Sequence, residues 1–407
     1  MAEVLSDAAP QDVGFTPEGL ARVDQALGEL IAGKQLAGAV TLVARKGKVV
    51  HRSVQGLKDI AKGEPLAQDT IFRIYSMTKP VTAVAMMILH DQGLWSPDDP
   101  IARHLPEFEG VKVLSGVGAD GALQTVAADH PPTLRELMTH TAGFSYGFDP
   151  QNPLDAAYIA AGVWSAASLA EMMTRLATLP LAYQPGAKWL YSLSMDVQGA
   201  IIEKLSGQTL PDFMRERIFQ PLGMVDTDFY VPADKMARLA TLYRHTKAQG
   251  LSVMERPLLG RDATRIPRLA SGGGGLFSTA ADYARFAQML LNRGELGGVR
   301  ILQPASVGLM TANHLSDELL AAGHGVGLQQ IRPGFGYGFN GAVFHDPTTA
   351  GSKVGSGTYQ WDGAAGTWFW IDPENEILYV GLIQRMAEDG APSVQAMTQQ
   401  LIAEAMA

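Results

Sequence analysis

Ser76-Met77-Thr78-Lys79-Pro80 is the stretch of this chain whose residue types and spacing suit nucleophilic chemistry. Ser76 and Lys79 are three residues apart, so on one helical turn they share a face and can touch. A serine at a helix N-terminus beside a partly buried lysine has what a nucleophile needs. Desolvation lowers the pKa of the amine and makes it a base, while N-terminal backbone N–H groups stabilise developing negative charge. Four residues with two fixed are common, however. The same letters describe a capping serine followed by a solvated lysine.

Two later stretches have residues that could serve that serine. In Trp189-Leu190-Tyr191-Ser192-Leu193-Ser194 the tyrosine precedes a helix and could hydrogen-bond a serine in a cleft and shuttle its proton. Its plainer reading is a loop or core tyrosine. Gly357-Thr358-Tyr359-Gln360-Trp361-Asp362-Gly363-Ala364 reads as a strand reaching a glycine turn, where backbone N–H groups could complete an oxyanion hole with that of Ser76. The alternative is an aromatic strand packed on a helix.

Other motifs compete less well. Gly143-Phe144-Ser145-Tyr146-Gly147 fits G-x-S-x-G, but a nucleophile elbow needs a strand before it and a helix after it. Here a helix from Leu134 to His140 precedes and a loop rich in Pro, Asn and Asp follows, which sets Ser145 behind Ser76. His140 and His245 read as hydrogen-bonded structural residues. The glycine run of Ser271-Gly272-Gly273-Gly274-Gly275-Leu276 is followed by no Gly-Lys-Ser/Thr, so it reads as a tight strand-to-helix passage rather than a phosphate cradle. No H-E-x-x-H, H-x-H or carboxylate cluster appears, and the expectation is neither metal nor cofactor.

These residues need elements to hold them. Thr70 to Tyr75 is β-branched and aromatic, an extended lead-in. Val81 to Leu89 is a continuous apolar helix that stops at Gly93, and with Pro80 in the first turn it is expected to start at about Ser76. Upstream, Thr16-Pro17-Glu18 opens a helix, and Gly38 to Ala44 with Val49 to Val54 forms a hairpin. Helical signals dominate from Ser76 to about Leu222: a capping box at Thr133 and Glu136, then Ala166 to Leu179, Met195 to Leu205 and Asp212 to Phe219. The loop from Gly143 to Pro153 is placed at a pocket edge, and Arg261 to Arg268 is read as a solvated connection. Thr279 caps another helix. The end is β-rich (Gly334 to Val343, Gly355 to Trp361, Thr367 to Ile371, Ile377 to Ile383) before a closing helix from Val394 to Met406.

Sheet segments at both ends thus flank a helical block. The expected architecture is α/β, with a discontinuous sheet domain over 1–72 and 255–407 and a mostly helical domain over 73–254. The cleft between them is the expected site. The 407 residues are 46% hydrophobic and 18% charged, ample for a core of this size. A net charge of −9 leaves no basic excess for nucleic acid or an anionic membrane surface. With no cysteine there are no disulfides, thiol nucleophiles or thiolate metal sites. The N-terminal residues lack the pattern of a secretory signal and no apolar run approaches the ~20 residues of a membrane span, so a cytoplasmic location is expected.

Taken together and in this order, the three pieces resemble the serine β-lactamase and penicillin-binding-protein superfamily, most closely its class C-like branch with the family VIII carboxylesterases. Leu137-Met138-Thr139-His140-Thr141-Ala142-Gly143 is similar to that family's LLTHTSG segment, and Gly273 to Thr279 to its GGLxST segment. The resemblance covers nearly the whole chain. It implies a two-lobed fold with an antiparallel sheet flanked by helices. It makes Ser76 the acylated nucleophile, Lys79 its helix partner and Tyr191 the tyrosine of the second motif, Y-x-N. Trp361-Asp362-Gly363 takes the place of the third, K-T-G, and the backbone N–H groups of Ser76 and Ala364 become the oxyanion donors.

Two departures bear on function. Leu193 replaces the asparagine of the second motif and loses an amide for a substrate's acylamino group. Trp361 replaces the lysine that anchors the carboxylate of a β-lactam or peptide C-terminus. Losing such a charge-assisted bond costs about 1.5–3 kcal/mol of recognition. Both changes look like the esterase branch. Asp362, where that branch usually has glycine, is a further departure, and anionic substrates are the class it would disfavour. The implied function is a serine carboxylesterase acting on small, hydrophobic or short-chain esters, with Phe144, Tyr146, Trp361 and Trp368 expected to make the pocket apolar. Leu193, Asp362 and Gly363 complete the expected substrate-binding set. The rivals are a β-lactamase, a D-aminopeptidase or DD-peptidase, or an acyltransferase on the same residues, and a silent domain that only binds ligand.

Overall fold

The structure is a computed structural model that describes residues 5–255, 262–322, 325–326, 329–330, 333–387 and 393–406. Along the main path of its nine-stranded sheet lie β1 (Ser6–Asp7), β2 (Gly38–Arg45), β3 (Lys48–Asp59), β4 (Phe335–Tyr337), β5 (Ala342–Phe344), β6 (Thr358–Asp362), β7 (Trp368–Asp372) and β8 (Ile377–Leu382), and the short strand Glu64–Pro65 pairs with β3 off that path. Their order across the sheet is β1-β3-β2-β8-β7-β6-β5-β4. All neighbours run antiparallel except β1, which lies parallel to β3. First and last parts of the chain therefore meet at β2 and β8, in the middle of one sheet.

Both sheet faces are covered, and the period-2 alternation of strand side chains shows by what. From β7, Trp368 and Trp370 point to the layer containing Val23 and Leu27 of helix α1 (Pro17–Ala32) and Ile402 of the closing helix. Phe369 and Ile371 point the other way, to the layer of Tyr283 and Phe286. Burial on both sides is why these strands read as unbroken apolar runs. It also corrects one expectation: Trp368 is 1% exposed in the α1 layer, on the face opposite Phe369, and cannot line a pocket.

The segment between β3 and the glycine run carries helices α2 (Thr78–Asp91), α3 (Leu134–Met138), α4 (Pro153–Ala160), α5 (Leu169–Leu176) and α6 (Ser194–Ser206). Every residue of α2 from Thr78 to Leu89 is buried, as a helix apolar all round must be. An antiparallel hairpin that the sequence pattern does not signal lies here, Lys112–Val117 with Leu123–Ala127. Its two strands are mostly exposed and lack an apolar stripe. Helix α5 is shorter than the expected Ala166 to Leu179. Ser168 accepts a hydrogen bond from the Glu171 N–H and fixes the start of that helix.

Downstream, helix α7 (Ala280–Leu291) is capped by Thr279, as expected. Residues 264–266 are exposed in line with a solvated connection, whereas Arg261 lies outside the described residues. The last helix, α8 (Val394–Glu404), packs beside α1. Among the described residues no helix is long and apolar enough to cross a membrane.

Candidate active site

The chain enters α2 more tightly than the sequence suggested. Tyr75–Met77 forms a 3-10 turn, and the α-helix begins only at Thr78. Tyr75 itself has φ of 41°, a left-handed conformation that costs a bulky aromatic about 1–3 kcal/mol. Its buried side chain, packed with Leu242 and Ala365, holds it there. This strained residue turns the backbone so that the half-buried Ser76 is offered at the start of the helix.

Three groups then converge. Tyr191 Oη donates to Ser76 Oγ at 2.8 Å. Lys79 Nζ lies 3.0 Å from Ser76 Oγ, 3.0 Å from Tyr146 Oη and 2.7 Å from the carbonyl oxygen of Gly273. A neutral amine has two N–H bonds and one lone pair. With the N–H groups on Gly273 and Tyr146, the lone pair faces the Ser76 hydroxyl. Lys79 is fully buried, and desolvation brings its pKa down to about 7, against the opposing pull of the Asp196 and Asp362 carboxylates. Burial pushes Tyr191 well above the usual phenol range, partly offset by its hydrogen bond to Ser76. Near neutral pH the amine is thus close to its own pKa while the phenol stays protonated.

The glycine run makes this possible from its carbonyl side. Strand pairing of Phe277–Ser278 with Phe72–Arg73 lays the run along the first turn of α2. There Thr78 Oγ1 accepts the Leu276 N–H and Thr82 Oγ1 donates to the Gly272 carbonyl. An added Cβ at Gly273 would stand 3.5 Å from Lys79 Nζ and 3.1 Å from Asp196 Oδ2, so the backbone itself approaches the amine. The run cradles a lysine rather than a phosphate.

Beyond β6, the Gly363 N–H bonds to the Thr367 carbonyl. A Cβ on Gly363 would fall 2.2 Å from the carbonyl oxygen of Ile74, so this turn is pressed against the turn that carries Ser76. Among the described residues nothing engages the N–H of Ser76 or of Ala364, which suits them to an oxyanion. Gly363→Ala would force the two turns apart by about 1 Å. It is expected to cost roughly a hundred-fold in kcat/KM with the far-ultraviolet circular dichroism intact.

The remaining predicted residues divide. Tyr146 reaches the centre, as a partner of Lys79. Trp361 is 4% exposed and forms the wall behind Tyr191, with ring centroids 5.8 Å apart. Asp362 is half-buried beside it. Two assignments need correction. Phe144 is 2% exposed and packs edge-on against Phe108. Leu193 is fully buried at the start of α6. Neither presents surface to a substrate, so the loss of the motif asparagine replaces a polar contact with core packing. Ser145, the decoy, donates to the buried Asp155 carboxylate and is structural. His140 is buried, with Nδ1 on Ser192 and its ring 4.8 Å from that of Tyr191. Asp196, buried on α6 and felt by Lys79, does not stand out among the residues, because a carboxylate in a helix's first turn looks like a dipole partner.

Comparison with known proteins agrees with this geometry. Residues 23–404 match the Beta-lactamase family model. An uncharacterized protein of Mycobacterium tuberculosis is 39% identical over 88% of this chain and 89% of its own length. Esterase EstB of Burkholderia gladioli is 33% identical over 86% of each chain. Among solved structures, EstCE1, described as a hydrolase with promiscuous acyltransferase activity, superposes with a TM-score of 0.77 at 28% identity, covering 95% of this chain and 98% of its own. Family match, fold and the serine–lysine–tyrosine cluster coincide over nearly the full length, and the chain is a serine hydrolase of the beta-lactamase family, on the side of that family where its esterase relatives lie.

Proposed function

We propose that the protein is a carboxylesterase that cleaves small, hydrophobic or short-chain esters through an acyl-enzyme on Ser76. The observation that carries this reading is the convergence of Lys79 Nζ and Tyr191 Oη on Ser76 Oγ, with Trp361 where a carboxylate-anchoring lysine would stand. Lys79 accepts the Ser76 proton as Oγ bonds to the ester carbonyl carbon. The oxyanion forms between the N–H groups of Ser76 and Ala364. Collapse breaks the bond to the alcohol oxygen, and Lys79 returns the proton to that alkoxide by way of Tyr191. Water then attacks the acyl-enzyme, giving its proton to Lys79, and Ser76 leaves with that proton regained. The likeness to EstB supports an ester as the substrate class. The partner is a small molecule.

The test is kcat/KM for a short-chain p-nitrophenyl ester and a chromogenic cephalosporin on one preparation. The ester is expected to win by roughly a hundred-fold or more, since the cephalosporin carboxylate finds no cation in place of Trp361. Comparable turnover of the two would move the reading to a β-lactamase. A second reading, acyl transfer to an alcohol, is favoured by the activity stated for EstCE1. It predicts that added alcohol diverts the acyl group from water to a new ester, readable as product partitioning.

A further inference from the structure

Phe148 is 60% exposed. A single apolar side chain on a surface needs no explanation, but this one is part of a structure. Its ring stacks on Tyr146 with centroids 4.5 Å apart and planes 22° apart. Trp164 lies 5.8 Å from Tyr146 at 12° and 5.8 Å from Phe148 at 25°. The three rings stack with nearly parallel planes into one aromatic block, a shelf whose outer side is Phe148. Its inner end is the Tyr146 hydroxyl, 3.0 Å from Lys79 Nζ.

The loop that presents the outer end is held firmly. Asp155 of α4, 8% exposed, accepts the N–H of Phe148 at 3.1 Å, that of Asp149 at 3.0 Å and the Ser145 hydroxyl. Trp164 Nε1 donates to the Tyr146 carbonyl at 2.8 Å. Gly147 has φ of 73°, and a Cβ there would fall 2.6 Å from Cβ of Tyr158, so only glycine fits between the two rings' residues. This is a preorganised apolar surface leading away from the nucleophile, and preorganisation reduces the ordering cost of binding.

We propose that the shelf formed by Tyr146, Phe148 and Trp164 receives the alcohol part of the ester, and that the enzyme selects planar apolar alcohols, aryl or fused-ring, over small aliphatic ones. The inference rests on the esterase reading. It assigns the alcohol side because the leaving oxygen must take its proton from Lys79 and Tyr191. Tyr146 stands on that side, bonded to Lys79 and with its ring 5.2 Å from that of Tyr191. On this proposal an aromatic alcohol leaving from Ser76 passes the edge of the Tyr146 ring and covers the exposed part of Phe148.

The experiment compares wild type, Phe148→Ala and Phe148→Trp. The readouts are the ratio of kcat/KM for 2-naphthyl acetate to that for ethyl acetate, and the Kd of 2-naphthol followed by fluorescence. With half of the exposed ring covered in the complex, Phe148→Ala is expected to lower the ratio and weaken 2-naphthol binding by roughly ten-fold each. Phe148→Trp is expected to restore both. An unchanged ratio with unchanged 2-naphthol affinity overturns the shelf while leaving the esterase reading intact. A loss that follows acyl length across a series of ethyl esters, instead of the alcohol, overturns the alcohol assignment. If 2-naphthol binds Phe148-dependently but no ester is cleaved, the shelf stands and the esterase reading falls.

Discussion

Ser76→Ala is expected to lower kcat/KM for a p-nitrophenyl ester by at least about a thousand-fold and to abolish the burst of p-nitrophenol in stopped-flow traces. The size follows from what the hydroxyl does. Lys79 Nζ and Tyr191 Oη both reach it, at 3.0 and 2.8 Å, so its removal leaves base and relay without the hydroxyl they would activate. Residual rate would come from oxyanion donors acting on water, the usual fate of a site stripped of its nucleophile. The variant should fold: Ser76 is half-buried and its side chain supports no described backbone bond. Mass spectrometry after mixing with a phosphonate ester provides a second reading, an adduct on the wild type at Ser76 and none on the variant. Full activity of Ser76→Ala would remove the acyl-enzyme mechanism altogether, and Ser145 would not inherit it, being bonded to Asp155.

Lys79→Met is expected to be equally inactive yet more stable than the wild type at neutral and acid pH. Burial lowers the lysine pKa from 10.5 to about 7, which corresponds to a folding penalty of about 4–5 kcal/mol at about 1.4 kcal/mol per unit. The sign follows from linkage. Below pH 7 the amine is charged in both states and the penalty is fully present. Between about 7 and 10.5 it is neutral when folded and charged when unfolded, so the penalty fades, and above 10.5 it is gone. Methionine avoids the penalty but forfeits the bonds to Gly273 and Tyr146, a loss of about 1–3 kcal/mol. The net gain is about 2 kcal/mol below pH 7, shrinking and reversing as pH approaches 10.5. Urea unfolding of both proteins at pH 6, 8 and 10 measures it. For the wild type, kcat/KM is expected to rise through about pH 7 as the amine gives up its proton. A variant less stable than the wild type at pH 6 would show that the amine is not buried as a cation. Such a trade of stability for function is common where a site needs an ionisable group out of water.

The order of the chemical pieces was legible in the sequence, since each depends on local pattern. Ser76 and Lys79 share a helical turn whatever surrounds it. The unbroken apolar run after Pro80 demanded a buried helix. The runs at Gly38 and Ile377 had to be strands, and they pair as β2 with β8. What local pattern cannot give is the direction in which a side chain points once distant segments pack. Phe144 and Tyr146 are two residues apart in one glycine-rich loop, yet one is sealed against Phe108 and the other bonds to Lys79. Leu193 follows Tyr191 by two and turns into the core. Trp368 and Phe369 are neighbours on opposite faces of the sheet.

The amine itself is the clearest case. Its identity and its serine are set within four residues. Its hydrogen bonds reach partners 67 and 194 residues away, Tyr146 and Gly273, and its pKa is lowered by burial against the pull of Asp196 and Asp362. The sequence by itself determined which groups could react. Only the tertiary structure decided that the lysine would be dry enough to be a base, because desolvation is a property of everything packed around a charge and of nothing in the charge's own neighbourhood along the chain.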